Sequence, residues 1–369
     1  MDHAAASQPM RVVMAVAAAK EVGGLEASFT RVAGELRGLG ITLEALIMGP
    51  SAGSSATAAF LRTAMPVHTA ARVTAARRLV RGADAVHVHA ATMTHWPARA
   101  VLAARLSRVP VVVTLHLPSH PNRQRLRGRV RVALQVAGRG LLLRLCARVV
   151  AAPSGAAAEL AERRLRLFRI RVRPLWNGVP DTGASALPAD GPLRLLLLGR
   201  LSDHKRPLHF VRAVEEAAGS GADVSAVIVG DGPLRGDVER LVEASAYRDR
   251  FVVAGGSAEP TPHLRAADVL VLTSQSEGCP LVAMEAAAVG RGVVAGAAIE
   301  GLAEGWPGAF VPVPDDGTSS YAAAFHALAA DRGQVRRLGK VARERFEAAF
   351  SADRAAHRLR DLYDEVARP

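Results

Sequence analysis

Short apolar runs alternating with stretches of helical period recur along all 369 residues of this chain, and that alternation restricts its fold more than any other feature. In the first half, strand-like runs occupy residues 11–17, 41–48, 84–89, 109–116, 148–152 and 172–176. Helical spacing fills 25–39, 70–80, 94–106, 123–148 (one helix or two) and 156–165. The second half restarts the pattern with runs at 193–198, 224–229, 251–254, 269–272 and 310–313, and closes on helical stretches at 321–330, 334–349 and 352–366. The run from Val269 to Leu272 holds only Val and Leu, as expected of a strand covered on both faces. Strands joined by helix-length connections form parallel sheets, so an α/β fold is expected. Residues 84–89, Asp-Ala-Val-His-Val-His, alternate like a sheet-edge strand. Residues 1–9 read as a disordered leader, 49–68 as loop, and the Pro-, Ala-, Gly- and Asp-rich stretch up to Gly191 as a linker.

Half of the residues are apolar, enough for the cores of two ordinary domains. The formal charge is +13, and residues 120–175 hold 14 arginines against Glu159 and Glu162. Such a segment suits an anionic membrane surface, a phosphorylated ligand or nucleic acid. Phe168 is its only aromatic, so the stacking platform of a single-strand binder is missing and no nucleic acid is expected. The Arg- and Leu-rich stretch 123–148 fits a peripheral membrane contact; a core-facing helix with a basic outer face fits it as well. Cys146 and Cys279 stand far apart, which gives neither a disulfide framework nor a metal cluster and favours a reducing cytoplasm. Asp2 stands where a signal peptide would be basic, and no apolar stretch approaches the roughly 20 residues of a membrane span.

The stretch 268–304 carries the densest functional signal. A buried strand ends in the polar loop 273–278, Pro280 opens a helix, and Glu277 and Glu285 bracket this switch. Ligands of doubly wound folds bind outside the carboxyl ends of strands. Two carboxylates there accept hydrogen bonds from a polyhydroxylated ligand, and amides around Gly278 favour an anion. One solvated Glu and one incidental helix Glu remain the alternative at this point. Gly23-Gly24 forms a second strand–loop–helix anion site, although a tight turn explains it equally. His87, His89, His95 and His116 lack the spacing and carboxylate partners of a zinc site, and Asp315-Asp316 after Pro314 reads as a turn. His116 differs from the other histidines because it ends a strand.

Gly199-Arg200-(four residues)-Lys205, Gly230-Asp231-Gly232-Pro233 and Glu277-(seven residues)-Glu285, in that order, resemble the family-4 retaining glycosyltransferases. Asn177-Gly178-Val179, Ala303-Glu304 and Phe350-Ser351 fit the same pattern, and the resemblance covers nearly the whole chain. It implies a GT-B fold: two Rossmann-like parallel-sheet domains facing a central cleft. An acceptor-binding domain would span 1–180 with a returning helix at 352–369, and a nucleotide-sugar domain would span 181–351. By resemblance, Arg200 and Lys205 hold the donor diphosphate, Glu277 binds hydroxyls of the transferred sugar beside the Gly278 and Cys279 amides, and Glu285 takes the ribose. His116 reaches the sugar, Gly23 and Gly24 approach the phosphate, and Pro280 and Leu281 complete the donor loop. The resemblance implies no metal and no cofactor beyond the nucleotide-sugar co-substrate. It leaves the acceptor as a hydroxylated small molecule, a glycan or a lipid headgroup.

A retaining double displacement needs a carboxylate nucleophile, which the sequence does not nominate. The family is generally described as using front-face attack, with lasting cations stabilising the departing diphosphate. Four places depart from the family pattern: Cys279 replaces a bulky residue, Glu300-Gly301 replaces Gly-Gly, Ala303 replaces the proline of Pro-Glu, and Gly292 stands where proline is usual. They put the sugar preference and the contacts of the 300–304 loop in question. A nucleotide-sugar epimerase would need a carboxylate cluster that is missing. The reading from a different class is a basic anion-binding protein without transferase activity.

Overall fold

The computed structural model describes residues 9–18, 24–49, 52–90, 97–116, 126–188, 191–297, 299–314 and 317–368. Gly23, His95, Asp315, Asp316 and residues 1–8 of the leader expected at 1–9 lie outside the described residues. The chain divides into two compact units, residues 1–178 with 352–369 and residues 179–351.

The first unit holds strands β1 (Met10–Ala17), β2 (Ile41–Met48), β3 (Val67–Ala70), β4 (Ala85–Ala90), β5 (Val111–Leu115), β6 (Val149–Ala152) and β7 (Val172–Pro174). They form one parallel sheet in the order β3-β2-β1-β4-β5-β6-β7. The order reverses between β1 and β4, which opens a crevice at their carboxyl ends. Strand β4 is therefore central, not the edge strand that its alternation suggests. All six of its residues are buried, because β1 and β5 flank it and its histidines find partners inside the protein. The stretch 49–68 also departs from expectation. It contains a helical turn, Ala52–Ser54, and a helix, Ala56–Leu61, whose Ser55 hydroxyl accepts a hydrogen bond from the Ala58 amide at 3.2 Å. Small alanines conceal the helical period there, yet Ala52, Ala58 and Leu61 pack into the core. The basic stretch is one helix, Leu126–Cys146.

Two apolar clusters belong to this unit. One includes Val86, Val113 and Ala104; the other joins Phe29, Val32 and Leu36 to Ala355, Leu362, Tyr363 and Val366 of the last helix, Ala352–Ala367. The carboxyl terminus thus completes the first unit's core.

The second unit holds β8 (Leu193–Leu198), β9 (Val224–Val229), β10 (Phe251–Gly255), β11 (Val269–Leu272), β12 (Gly292–Gly296) and β13 (Phe310–Val313). Their parallel order is β10-β9-β8-β11-β12-β13, reversing between β8 and β11. Asp268, wholly buried just ahead of β11, accepts from the Arg194 amide at 2.8 Å and the Arg332 guanidinium at 2.7 Å. That pairing fixes β11 against β8, so the loops after these two strands emerge side by side.

Candidate functional site

In the second unit, the loop after β8 and the loop after β11 are bonded together. Thr273 shares its hydroxyl proton between the carbonyls of Lys205 (2.8 Å) and Arg206 (3.1 Å), and the Gln275 amide donates to His204 O at 3.0 Å. Arg206 takes the left-handed conformation, φ 52°, immediately before Pro207 opens its helix. A non-glycine residue there is strained, and the Thr273 bond helps to hold it.

The β9 loop closes the same surface. A Cβ on Gly230 would lie 1.8 Å from Gly199 O, and one on Gly232 would lie 2.5 Å from Leu201 O. Only glycine permits that approach, which lets the Leu201 amide bond Asp231 O at 2.9 Å.

These contacts bring Lys205 Nζ into a hydrogen-bonded ion pair with Glu277 Oε1. Glu277 is mostly buried, with 14% of its side chain exposed. Arg200 is exposed on the same β8 loop; Gly278 and Cys279 are half-buried. Pro280 precedes the helix Leu281–Ala288 as its cap rather than as its first residue, and Glu285 sits half-buried on that helix. Ser276, directly before Glu277, has a buried hydroxyl without a hydrogen-bond partner among the described residues. Sequence reasoning overlooks it, since a lone serine in a polar loop carries no signal.

His116 and Gly24 belong to the first unit. Gly24 begins the helix Gly24–Gly38, and His116 follows β5, where its amide bonds Ala90 O at 2.8 Å. There His116 joins a histidine cluster. His87 Nδ1 meets the Tyr363 hydroxyl at 2.7 Å, and its Nε2 meets Thr114 Oγ1 at 2.8 Å. His89 Nδ1 meets His116 Nε2 at 3.1 Å. Burial pushes His87 down to about 3, helped by the nearby His116, and pushes His116 down to about 4. Burial, then His87 and His116, holds His89 well below the usual imidazole range. All three rings are therefore neutral at pH 7. No group of three or more His, Cys, Asp or Glu side chains is placed to hold a metal ion among the described residues; in the histidine cluster both His87 nitrogens are taken by hydroxyls.

The first part of the chain, residues 22–182, matches the family model Glycosyltransferase Family 4. Residues 192–331 match the model Glycosyl transferases group 1. The chain belongs to this glycosyltransferase family. Among its relatives, the 2-deoxystreptamine glucosyltransferase of Streptomyces kanamyceticus is 30% identical over 231 residues, 58% of this chain and 59% of that protein. The 2-deoxystreptamine N-acetyl-D-glucosaminyltransferase of Streptomyces fradiae is 35% identical over 238 residues, 59% of this chain and 56% of that one. The chain thus matches somewhat over half the length of these relatives. The crystal structure of Anabaena HepE in complex with UDP superposes with a TM-score of 0.78 at 17% identity, covering 96% of this chain and all of that one. Sucrose-phosphate synthase from Thermosynechococcus elongatus gives 0.71 at 20% identity, covering 96% and 98%. The fold of this chain is GT-B.

Proposed function

We propose that this protein transfers a sugar from a nucleotide-diphosphate donor to an acceptor hydroxyl with retention, giving an α-glycoside by front-face attack. The observation that carries the reading is the Lys205–Glu277 pair, held where the loops after β8 and β11 are bonded together. A cation beside a carboxylate suits a ligand that joins a diphosphate to a hydroxylated ring. Lys205 and Arg200 supply lasting charge to the departing diphosphate, and Glu277 orients the sugar by accepting its hydroxyls. Glu285 takes the ribose, the Gly278 and Cys279 amides with Pro280 and Leu281 form the donor loop, and Gly23 and Gly24 approach the phosphate. His116 is assigned a sugar hydroxyl through the resemblance. With charge neutralised by side chains, the reaction so drawn calls for no metal.

The activities of the relatives put an aminocyclitol of the 2-deoxystreptamine kind first among acceptors to assay, and the UDP complex of the structural neighbour puts UDP-sugars first among donors. A thermal-shift screen of UDP-, GDP- and ADP-sugars, followed by transfer from radiolabelled donors, tests the reading. A donor that binds the folded chain raises its melting temperature, and the product should carry an α-anomeric NMR coupling. A folded preparation that responds to no nucleotide sugar would refute the assignment.

One surface also favours a peripheral membrane contact. Of the seven exposed large hydrophobics among the described residues, five are leucines of the first unit: Leu102, Leu106, Leu141, Leu145 and Leu167. They sit on the helices Ala98–Leu106 and Leu126–Cys146 and the turn Arg166–Phe168, which touch in sequence order. Exposed Arg105, Arg108, Arg144, Arg163, Arg166 and Arg169 lie on or next to the same elements in sequence. Leucines projecting among arginines suit the interface of an anionic bilayer. No helix among the described residues is long and apolar enough to cross a membrane. Sedimentation with phosphatidylglycerol vesicles but not with phosphatidylcholine vesicles, weakened by Leu145→Asp with Leu167→Asp, is the expected result. Equal indifference to both vesicle types would rule the contact out.

A further inference from the structure

His89 has no role in the transfer reaction as drawn, yet it is among the most confined polar groups in the first unit. It is 5% exposed, its ring lies 3.9 Å from that of Phe29 and 4.0 Å from that of His87, and His87 is itself pinned by Tyr363 and Thr114. The register of β4 on β5 pairs His89 with Thr114, two residues ahead of His116. From there Nδ1 of His89 reaches Nε2 of His116 at 3.1 Å. The other nitrogen of His89, Nε2, is buried without a hydrogen-bond partner among the described residues.

We propose that His89 is a positioning residue that fixes His116 as its Nδ1–H tautomer, so that His116 presents a hydrogen-bond donor, and not an acceptor, from Nδ1. Two neutral imidazoles can share one proton between Nδ1 of His89 and Nε2 of His116 in two ways. If His116 donated, His89 would have to carry its own proton on Nε2, leaving an N–H buried without an acceptor. If His89 donates from Nδ1, its Nε2 keeps only a lone pair. An orphaned buried N–H is rarer and more costly than an under-satisfied acceptor. The second arrangement therefore prevails. It places the proton of each ring on Nδ1, opposite to the Nε2–H form that free histidine favours, and the nitrogen that bonds the neighbour dictates which face of the ring is protonic. His116, locked in this form, can donate to a ligand oxygen and cannot accept from a ligand hydroxyl through Nδ1.

The consequence for transfer rests on the proposed function, but the tautomer does not, and the experiment separates them. Histidine is labelled with 15N in the full-length chain, and two-bond proton–nitrogen spectra at pH 7 assign the protonated nitrogen of each ring. Wild type should show His89 and His116 both as Nδ1–H. His89→Phe keeps a flat ring against Phe29 and His87 but removes the donor, so His116 should revert mainly to Nε2–H. His89→Asn, whose amide nitrogen replaces Nδ1, should restore the Nδ1–H form. Groups that orient metal-bound histidines typically carry about 10–100-fold in activity, and a histidine that binds no metal should fall at the lower end of that range. The Phe variant should accordingly lose roughly tenfold or more in kcat, with a melting temperature close to that of the Asn variant, which should remain within about threefold of wild type. An Nε2–H form of His116 in wild type, or an unchanged tautomer in His89→Phe, overturns the proposal whatever the activity. The predicted tautomers together with no sugar transfer from any donor would instead remove the functional reading alone.

Discussion

Lys205 carries the heaviest chemical assignment of any single residue, a lasting positive charge beside a diphosphate that leaves with extra negative charge. On the proposed function, replacing it by alanine removes a contact that strengthens towards the transition state. Steady-state kinetics of Lys205→Ala should show kcat lowered by about 10²–10³, the usual effect of losing one such stabilising group, with a much smaller change in KM. Unchanged turnover would exclude the role. Lys205 and Glu277 stand out in the sequence because, after strands, Lys205 closes one motif of fixed spacing and Glu277 opens another. The His87–Tyr363 and His89–His116 bonds are not legible, since they depend on the β4–β5 register and on a helix hundreds of residues away. The histidines make a second residue-scale prediction. His87 and His116 titrate at about 3 and about 4 in the folded protein, below the roughly 6.5 of an unfolded chain. The unfolded state thus binds more protons as pH falls from about 6.5, and stability declines, by up to about 1.4 kcal/mol per pH unit for each ring. Urea unfolding at pH 7 and pH 5 should show the loss in the first unit, and His87→Asn should flatten the slope; equal stabilities at both pH values would count against neutral buried rings.

At the scale of elements, the residue just ahead of β12 is one that no periodicity flags. Arg291 is fully buried, and its guanidinium donates to the carbonyls of Ala267 (2.7 Å), Ser185 (2.9 Å), Ala186 (2.8 Å), Arg265 (2.8 Å) and Val289 (2.9 Å), and to Ser185 Oγ at 2.9 Å. Burial lowers its pKa, with Asp268 opposing the shift. The linker-like composition around residues 185 and 186 therefore conceals a segment clamped to the second unit. In Arg291→Ala several buried carbonyls lose their donors at once, so a loss of about 3–5 kcal/mol is expected. Arg291→Lys should recover little, because one ammonium cannot reach carbonyls arranged around a planar fork. Thermal unfolding of the second unit measures both; near-wild-type stability for either variant would mean that the clamp is dispensable. The wholly apolar strands are readable because burial on both faces leaves an unbroken apolar run. The helix Ala56–Leu61 is hidden because alanine fits helix, strand core and loop alike, and β3 because four residues, Val-His-Thr-Ala, are too few to show a period.

For the molecule as a whole, the division into units does not follow chain order, and this sets how it should fail when shortened. The helix Ala352–Ala367 lies at the end of the sequence but belongs to the first unit's core, where Leu362, Tyr363 and Val366 are buried. Arg173 grips Glu365 through two bonds of 2.6 and 2.9 Å, Arg358 donates to Trp176 O at 3.2 Å, and Tyr363 holds His87. The exposed Arg173–Glu365 pair adds little by itself, so the buried side chains decide. At about 1.5–3 kcal/mol for each large apolar side chain, the helix contributes on the order of the 5–15 kcal/mol that stabilises a whole domain. Deleting residues 352–369 should therefore unfold the first unit and leave the second folded. Hydrogen exchange read strand by strand would show β1, β4 and β5 losing protection while β8, β9 and β11 keep theirs. If β1 and β4 stay as protected as in the full chain, the last helix is an accessory and not part of the core. The same truncation removes the hydroxyl that orients His87, so even a partly folded remnant should lose the ordered tautomers of the histidine cluster before it loses its sheet.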